Sequence, residues 1–122
     1  MKLSNALEQV KKEKPHSFSE NHCTLFITEI EAQVQEYLGI PAADRIKYAW
    51  DTDKDKELIV PSPYDALYIS FLKAKIDYAN EEYESYANNQ AIHDDDMENF
   101  RAWAIREDKL QNKTTARITN WW

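Results

Sequence analysis

Four groups of side chains in the sequence have residue types that bind metals or transfer protons. Asp51, Asp53 and Asp55 have the spacing of the first three ligands of an EF-hand calcium loop. However, Lys56 stands where that loop has its invariant glycine, and Ser62 stands where it has its bidentate glutamate. We therefore expect a solvated turn at this position and no calcium site.

The second group is the run His93-Asp94-Asp95-Asp96, which offers imidazole and carboxylate ligands. Consecutive residues of a helix point in different directions, so they do not converge on one metal ion. Carboxylates are favourable at the positive end of the helix dipole. We therefore expect the three aspartates to mark the start of a last helix and to bind no metal.

The remaining two groups also lack a catalytic arrangement. His22 and Cys23 are adjacent, hence about 100° apart on a helix, and neither has a ligand partner one turn away. Glu81, Glu82 and Glu84 form a charged face and not a pair of carboxylates held for acid–base work. The sequence offers no Ser-His-Asp or Cys-His arrangement. We predict no catalytic residues, no metal site and no cofactor.

Composition narrows the function classes further. The 122 residues are enough for one domain, and they include a single glycine. Phosphate-binding loops, dinucleotide fingerprints and tight hairpins need several glycines, so a nucleotide-dependent enzyme is nearly excluded. The 22 acidic and 15 basic side chains give a net charge of −7. This balance argues against a basic face for nucleic acid or membranes, so we predict no nucleic-acid-binding residues and no membrane partner.

Cysteine and hydropathy patterns bear on location. Cys23 is the only cysteine, so the chain has no internal disulfide, and we expect this side chain to be buried. The first 25 residues contain no apolar signal-peptide core, and no apolar run of 18 residues occurs. We expect a soluble protein made in a reducing cytoplasm.

The predicted elements that must position these side chains are mainly helical. Residues 4–14 form a short helix that Pro15 ends, because proline pushes the preceding residue out of the helical region. A second helix follows the N-cap Ser19 and ends at Gly39. Its apolar face is Cys23, Phe26, Ile27, Ile30, Val34, Tyr37 and Leu38.

The centre of the chain predicts two further features. Residues 46–60 alternate and then run apolar around a charged loop, which indicates a short two-stranded β ribbon held by contacts outside itself. Ser62 and Pro63 then begin a long central helix that extends over 63–87. Asn88 and Asn89 break or bend that helix. The overall prediction is a mainly α fold, a small helical bundle with one long helix.

The C-terminal segment differs in charge from the rest. Residues 109–122 carry three positive charges, no acid and no helical period, and they end in Trp121 and Trp122. Residues 1–108 hold 12 basic and 22 acidic side chains, a net charge of −10. We therefore divide the chain into a helical domain, 1–108, and an extended basic arm, 109–122. Opposite charges favour contact between the two, within one subunit or between neighbours.

Aromatic side chains are the strongest candidates for binding. Tyr64, Tyr68, Tyr78, Tyr83 and Tyr86 share the predicted long helix and cannot all face one core. Aromatic residues with a polar tip are enriched at protein–protein interfaces. We predict interface roles for Tyr64, Tyr68, Tyr78 and Tyr83, with partly exposed bundle tyrosines as the open alternative. From the residues alone, the chain is a small acidic helical interaction protein.

One stretch of the sequence resembles a known family. The segment Leu58-Ile59-Val60-Pro61-Ser62-Pro63-Tyr64-Asp65, followed by the tyrosine-rich run, is its most specific part. The similarity starts at Leu3 and Lys14-Pro15 and continues through Ile76-Asp77-Tyr78, Glu82, Tyr86, Phe100, Trp103 and Arg106. Over about residues 1–108 the chain resembles small virion proteins of long-tailed bacteriophages, the head–tail connectors, also called head-completion or adaptor proteins.

The resemblance implies a structural virion protein of the phage neck. Such a subunit forms a ring homo-oligomer, an expected dodecamer, that binds the portal protein and the next tail-side connector or tail-terminator protein. DNA passes through the ring channel without specific binding. The resemblance places the protein in the virion, at the head–tail junction, after synthesis in the host bacterial cytoplasm. Another phage assembly protein, such as a tail-completion protein or chaperone, and a small helical interaction module stay open as alternatives.

The arm adds candidate contacts of its own. Large indole side chains exposed on a free monomer favour aggregation, so a groove on a partner is the better location for them. Trp and Arg are the residue types that most often dominate binding energy at interfaces. We predict that Arg117, Ile118, Trp121 and Trp122 contact an adjacent subunit or the portal, the alternative being an arm folded onto its own body.

Overall fold

The computed structural model of the chain describes residues 1–111, and the regular elements within that range are helices. They are α1 (Leu3–Glu13), α2 (Glu20–Leu38), α3 (Trp50–Asp53), α4 (Ala66–Ala79) and α5 (Tyr83–Arg106), with a short 3-10 turn at Ala42–Asp44. The mainly α class is therefore confirmed. None of the helices in this range is long and apolar enough to cross a membrane.

The first helix lies within one residue of its predicted bounds of 4–14, although it begins at Leu3 and has no side-chain cap. The second helix matches its start and stop signals closely. Ser19 caps α2, because its side-chain oxygen accepts a hydrogen bond of 3.1 Å from the His22 backbone N–H. Gly39 ends α2 in the left-handed conformation, with φ of 79°, which a residue without Cβ adopts at no steric cost. Cys23 is buried in the core as expected. The buried face of α2 also includes Ile27, Ile30, Val34 and Leu38.

The prediction of one long central helix over 63–87 is wrong, because a turn divides the segment into α4 and α5. α4 ends at Ala79, and Glu81 adopts a left-handed φ of 60°. The Glu82 backbone N–H then donates to the Asp77 carbonyl at 2.9 Å, which closes a tight turn. The two helices run antiparallel as a helical hairpin. Asn89, which was expected to break the helix, lies inside α5 and donates to the Asp77 carboxylate at 2.6 Å.

The start of α4 also differs from the prediction. Residues 62–65 form turns, and regular helix begins at Ala66 instead of Pro63. The Tyr64 backbone N–H donates to the Pro61 carbonyl at 2.9 Å, and the Tyr68 N–H donates to the Asp65 carbonyl at 3.1 Å. These turn contacts precede the helix and account for the later start.

The predicted β ribbon over 46–60 is also wrong, because the structure has no paired strands there. α3 takes up the centre of the segment, and Asp53 stabilises its first turn by accepting a 2.8 Å hydrogen bond from the Ala49 N–H. The second half pairs with the start of the chain, through an isolated antiparallel bridge between Lys2 and Glu57. The apolar run is explained by burial of Leu58 and Val60 in the core.

The first half of the same segment is extended and is attached to α2. The Gln35 side chain donates to the Ile46 carbonyl at 3.2 Å and accepts from the Ile46 N–H at 2.7 Å. The Tyr48 N–H donates to the Thr28 hydroxyl at 3.3 Å. The backbone of this half is therefore bound by side chains of a helix and not by a second strand.

Residues 109–111 belong to the body of the domain. The Lys109 N–H donates to the Ala104 carbonyl, and the Gln111 N–H donates to the Leu38 carbonyl, both at 2.8 Å. Leu110 packs against the core between these two contacts. The first residues of the predicted arm are thus attached to the ends of α5 and α2, and the rest of the arm lies outside the described residues.

Candidate interaction surface

Three tyrosines form an aromatic cluster at the turn between α4 and α5. The ring centroid of Tyr78 lies 6.3 Å from that of Tyr83 and 5.3 Å from that of Tyr86. The side chains of Tyr78 and Tyr83 are 61% and 60% exposed, and Tyr86 is half-buried. We call these three residues the tyrosine patch. It is the largest group of exposed aromatic side chains in residues 1–111.

The turn itself creates the tyrosine patch. Tyr78 lies in the last turn of α4, and Tyr83 and Tyr86 lie in the first turn of α5. Because the two helices run antiparallel, the end of one meets the start of the other. In a continuous helix Tyr78 and Tyr86 would be about 12 Å apart along the axis. Spacing in the sequence therefore gave no signal for their contact.

A groove continues from the tyrosine patch between α2, α4 and α5. Its volume is about 360 Å³, and Phe71 and Ala74 form its apolar floor. Tyr78 and Tyr86 line one end. Lys75 lies at its edge, over the Phe71 ring at 5.5 Å and paired with Glu29 at 3.1 Å. The groove offers an apolar recess of the size of a large side chain with polar edges, as protein-binding surfaces do.

Acidic side chains surround Tyr83. Glu81, Glu82 and Glu84 are all exposed, and we call them the acidic rim. Glu82 forms an ion pair with Lys14 at 3.3 Å. Among residues 1–111 neither Glu81 nor Glu84 has an ion-pair partner. The tyrosine patch thus carries uncompensated negative charge next to exposed aromatic rings.

A buried polar cluster holds the turn beneath the tyrosine patch. The Asp77 carboxylate is fully buried and forms an ion pair with Lys14, which follows α1. It also accepts hydrogen bonds from Ser85 at 2.8 Å and Asn89 at 2.6 Å. Burial alone would raise the pKa of Asp77, but the hydrogen bonds from Lys14, Asn89 and Ser85 together lower it. This carboxylate therefore stays ionised and fixes three elements around the turn.

Tyr68 does not belong to the surface, so its predicted interface role is wrong. Its side chain is fully buried, with the hydroxyl in a hydrogen bond to the buried carboxylate of Glu31. The same hydroxyl accepts from the Val60 N–H at 3.0 Å. A hydroxyl-bearing ring at helical spacing fits an interface and a core equally well. Tyr68 lies in the core because its hydroxyl binds Glu31, a buried acid on another helix.

Glu31 is the centre of this interior cluster. Besides Tyr68, its carboxylate accepts from the Tyr48 hydroxyl at 2.8 Å and from the Ile59 N–H at 3.1 Å. Desolvation raises the pKa of Glu31 despite these donors. Burial, together with the neighbouring Glu31, also raises the pKa of both tyrosines. The cluster joins α2 to α4 and to the irregular segment before it.

Tyr64 lies at the other end of the hairpin, away from the tyrosine patch. Its ring stacks on Trp103 with centroids 5.6 Å apart, and its hydroxyl accepts from Arg106 at 3.0 Å. The structure thus brings together Tyr78 and Tyr83 of the predicted interface tyrosines and separates Tyr64 from them. The predicted contacts at Arg117, Ile118, Trp121 and Trp122 lie outside the described residues.

The two acidic runs considered as metal ligands have structural partners. Asp53 binds the Ala49 N–H and pairs with Lys56 at 3.1 Å, and both contacts lower its pKa. The run 94–96 lies in the middle of α5, so the prediction that it starts a helix is wrong. Asp94 accepts from Gln90 at 3.0 Å. In residues 1–111 no three His, Cys, Asp or Glu side chains converge on a metal position.

A serine, a histidine and an aspartate that the sequence did not single out as a group meet between α4 and α5. The Ser70 hydroxyl donates to Asp96 at 2.8 Å and lies 3.3 Å from Nδ1 of His93. That same Nδ1 lies 3.1 Å from the Leu67 carbonyl, which can only accept, so Nδ1 carries the proton. The pKa of His93 is lowered, chiefly by burial. The sequence signal for this group was the spacing of three residues between His93 and Asp96, which places them on one face of a helix.

This group lacks the order of a nucleophilic triad. In such a triad the histidine accepts the serine proton and the aspartate orients the histidine. Here Asp96 binds the serine directly, and the histidine nitrogen nearest the serine is already protonated. The arrangement therefore satisfies buried polar groups between two packed helices.

Comparison of the chain with protein-family models, with curated proteins and with solved structures finds no match.

Proposed function

We propose that the chain is a structural subunit that assembles through the tyrosine patch, in the role of a head–tail connector of a phage particle. One observation supports assembly above all: the exposed Tyr78 and the half-buried Tyr86 line a groove whose floor is formed by the apolar side chains of Phe71 and Ala74. Exposed aromatic groups beside an apolar recess are typical of protein-binding surfaces. The sequence resemblance supplies the kind of assembly, a ring that joins the portal to the tail.

Charge supports a ring through which DNA passes. Residues 1–108 carry a net charge of −10, and Glu81 and Glu84 add unpaired negative charge at the surface. Protein binds DNA mainly by neutralising phosphates with Lys and Arg. An acidic ring therefore lets DNA slide without holding it. We expect no retardation of duplex DNA by the protein at physiological salt.

The proposal includes a location and a set of neighbours. The subunit belongs to the virion neck, with the portal protein on one side and the next connector or the tail terminator on the other. It is made in the cytoplasm of the host bacterium and needs no membrane and no cofactor. The order of hydrogen bonds at Ser70, His93 and Asp96 supports a role other than catalysis.

The mass of the assembled protein tests the proposal. Full-length protein, alone and mixed with the portal protein, is analysed by native mass spectrometry and by sedimentation. We expect a closed ring of many 14.4 kDa subunits, with twelve as the expected number, at least on the portal. A protein that stays at the monomer mass with and without the portal contradicts the proposal. So does a protein that binds the portal but is missing from finished particles, which is the behaviour of an assembly chaperone.

Matched surface variants locate the contact. The double variant Tyr78→Ser/Tyr83→Ser removes two exposed rings of the tyrosine patch. The control Ile46→Ser removes an exposed apolar side chain from the extended segment that is bonded to Gln35 and does not line the groove. We expect the double variant to weaken assembly by about tenfold or more, since buried aromatic anchors dominate interface energy. Ile46→Ser should keep assembly. Equal assembly by both variants places the contact elsewhere and contradicts this use of the tyrosine patch.

A further inference from the structure

We propose that residues 112–122 of one subunit bind the tyrosine patch and acidic rim of a second copy of this chain. This inference rests on the self-association put forward above and names its two contacting surfaces. Arm and tyrosine patch are different surfaces, so the contact is head-to-tail. Head-to-tail contacts between identical subunits produce rings when the rotation closes. Charge, side-chain type and reach support this pairing of segment and surface.

Charge is complementary between the two surfaces. Lys113 and Arg117 are the charged residues of 112–122, and both are positive. The acidic rim offers Glu81 and Glu84 without a partner in residues 1–111, and Glu82 shares one lysine. The charged turn near α3 is a poorer receptor, because Lys54 and Lys56 alternate there with its aspartates. Complementary charge favours encounter and fixes which surfaces meet.

Side-chain types match as well. The segment ends in Trp121 and Trp122, and Ile118 precedes them. The groove beside the tyrosine patch has an apolar floor of Phe71 and Ala74, and its volume of about 360 Å³ accommodates an indole ring. Aromatic rings stack or meet edge to face with neighbouring rings, so Tyr78 and Tyr86 are suitable walls. Tryptophan buried in such a pocket is the commonest dominant contributor to binding.

Reach favours a second copy over the same chain. The Lys109 N–H is bonded to the Ala104 carbonyl, so the segment starts beside the far end of α5. From Ala104 back to Tyr83 the helix rises about 31 Å. The Gln111 N–H is bonded to the Leu38 carbonyl, and Lys113 is at most about 7 Å from Gln111 along an extended chain. Arg117 is at most about 21 Å from Gln111, which is less than that rise. Binding to a neighbour lets both charges and both indoles take part.

Site-directed photo-cross-linking in the full-length protein tests the inference. Tyr83 is replaced by a photoreactive phenylalanine analogue, and unlabelled protein is mixed with ¹⁵N-labelled protein before irradiation. We expect cross-linked peptides that join position 83 of one isotope to residues 112–122 of the other. The same analogue at Ile46, which is also exposed and does not line the groove, should give no such peptides between isotopes. Cross-links to 112–122 only within one isotope, or to other residues only, overturn the inference.

Charge reversal provides an independent test. The variant Lys113→Glu/Arg117→Glu should weaken self-association by about tenfold, and adding Glu81→Lys/Glu84→Lys should restore it. Absence of that restoration overturns the pairing. The result is separable from the connector role. Assembly onto the portal without cross-links between 83 and 112–122 overturns only this inference. Cross-links between copies without portal binding support it and overturn the connector role.

Discussion

Asn89 donates a hydrogen bond of 2.6 Å from its side-chain amide to the carboxylate of Asp77, and this contact joins α5 to α4 on their buried side. The same carboxylate pairs with Lys14, whose side chain is 19% exposed. One acid thus connects three elements at a position where no solvent reaches it. Removing one member of such a buried set leaves its partners without compensation, so the cost is large.

We predict that Asp77→Ala destabilises the protein strongly. Lys14 loses its buried partner, and Ser85 and Asn89 lose their acceptor, so the free energy of unfolding should fall by about 3 kcal/mol or more. Glu8→Ala is the matched control, because Glu8 and Lys12 form an exposed pair one helical turn apart. That change should cost at most about 0.5 kcal/mol. Urea denaturation followed by circular dichroism measures both, and similar losses for the two variants would contradict the prediction.

Acid should weaken the same cluster. The pKa of Asp77 is lowered in the folded protein, so its contribution to stability is present above the unfolded pKa of about 3.9 and is lost as the pH falls through the folded value. The variant Asp77→Asn lacks this titration. The difference in unfolding free energy between wild type and Asp77→Asn should therefore shrink as the pH falls below about 4. A difference that stays constant over that range contradicts the prediction.

Glu31 should show the opposite dependence on pH. Its pKa is raised, so its contribution is present below the unfolded pKa of about 4.3 and is lost as the pH rises through the folded value. Relative to Glu31→Gln, the wild type should lose stability as the pH rises above about 4. Replacing the carboxyl group by an amide also alters hydrogen bonds, but this offsets the two curves of unfolding free energy against pH by a constant amount. The exposed Glu29→Gln is the control, and parallel curves for Glu31→Gln and wild type contradict the prediction.

Removing the hydroxyl of a buried tyrosine should lower the free energy of unfolding more than removing that of an exposed tyrosine. Tyr68→Phe leaves the Val60 N–H and a Glu31 oxygen without their partner, so it should lower the free energy of unfolding by about 1–3 kcal/mol. Tyr83→Phe, on an exposed ring, should change it by less than about 0.5 kcal/mol. Thermal and urea denaturation measure both changes. Equal effects would place Tyr68 outside the interior.

A glycine at the turn distinguishes the hairpin from a continuous helix. Glu81 has a left-handed φ of 60°, which costs a residue with Cβ about 1 kcal/mol, so Glu81→Gly should stabilise the protein by up to that amount. Glu84→Gly, in the first turn of α5, should destabilise it by up to about 1 kcal/mol. If Glu81→Gly is also destabilising, residue 81 is helical and the turn is wrong.

The sequence predicted those elements that carry their own start and stop signals. α2 was predicted because Ser19 and Gly39 act on residues next to them in the chain. The turn at Glu81 had no such signal, because a glutamate there is held in a left-handed conformation by contacts of Asp77 with α1 and α5. Local propensity for helix is overridden in such places by tertiary contacts.

The candidate surface was predicted in part for the same reason. Tyr78 and Tyr83 were identified from residue type, but which tyrosines are exposed depends on the turn and on Glu31, a buried acid 37 residues before Tyr68. The Leu58–Val60 run was interpreted as a strand because its burial against helices has the same apolar pattern. Pairing partners far apart in the chain leave no periodicity to detect.

The contact of Gln35 with Ile46 bears on aggregation. An extended backbone with free N–H and C=O groups is a template on which another chain can add as a strand. At Ile46 both groups are taken by one side-chain amide, and the Tyr48 N–H is taken by a threonine hydroxyl. A side-chain amide binds the backbone of one residue only, whereas a neighbouring β-strand would bind successive residues along the segment. On the side that faces α2, the stretch therefore stays extended without offering an edge from which amyloid-like stacking could grow.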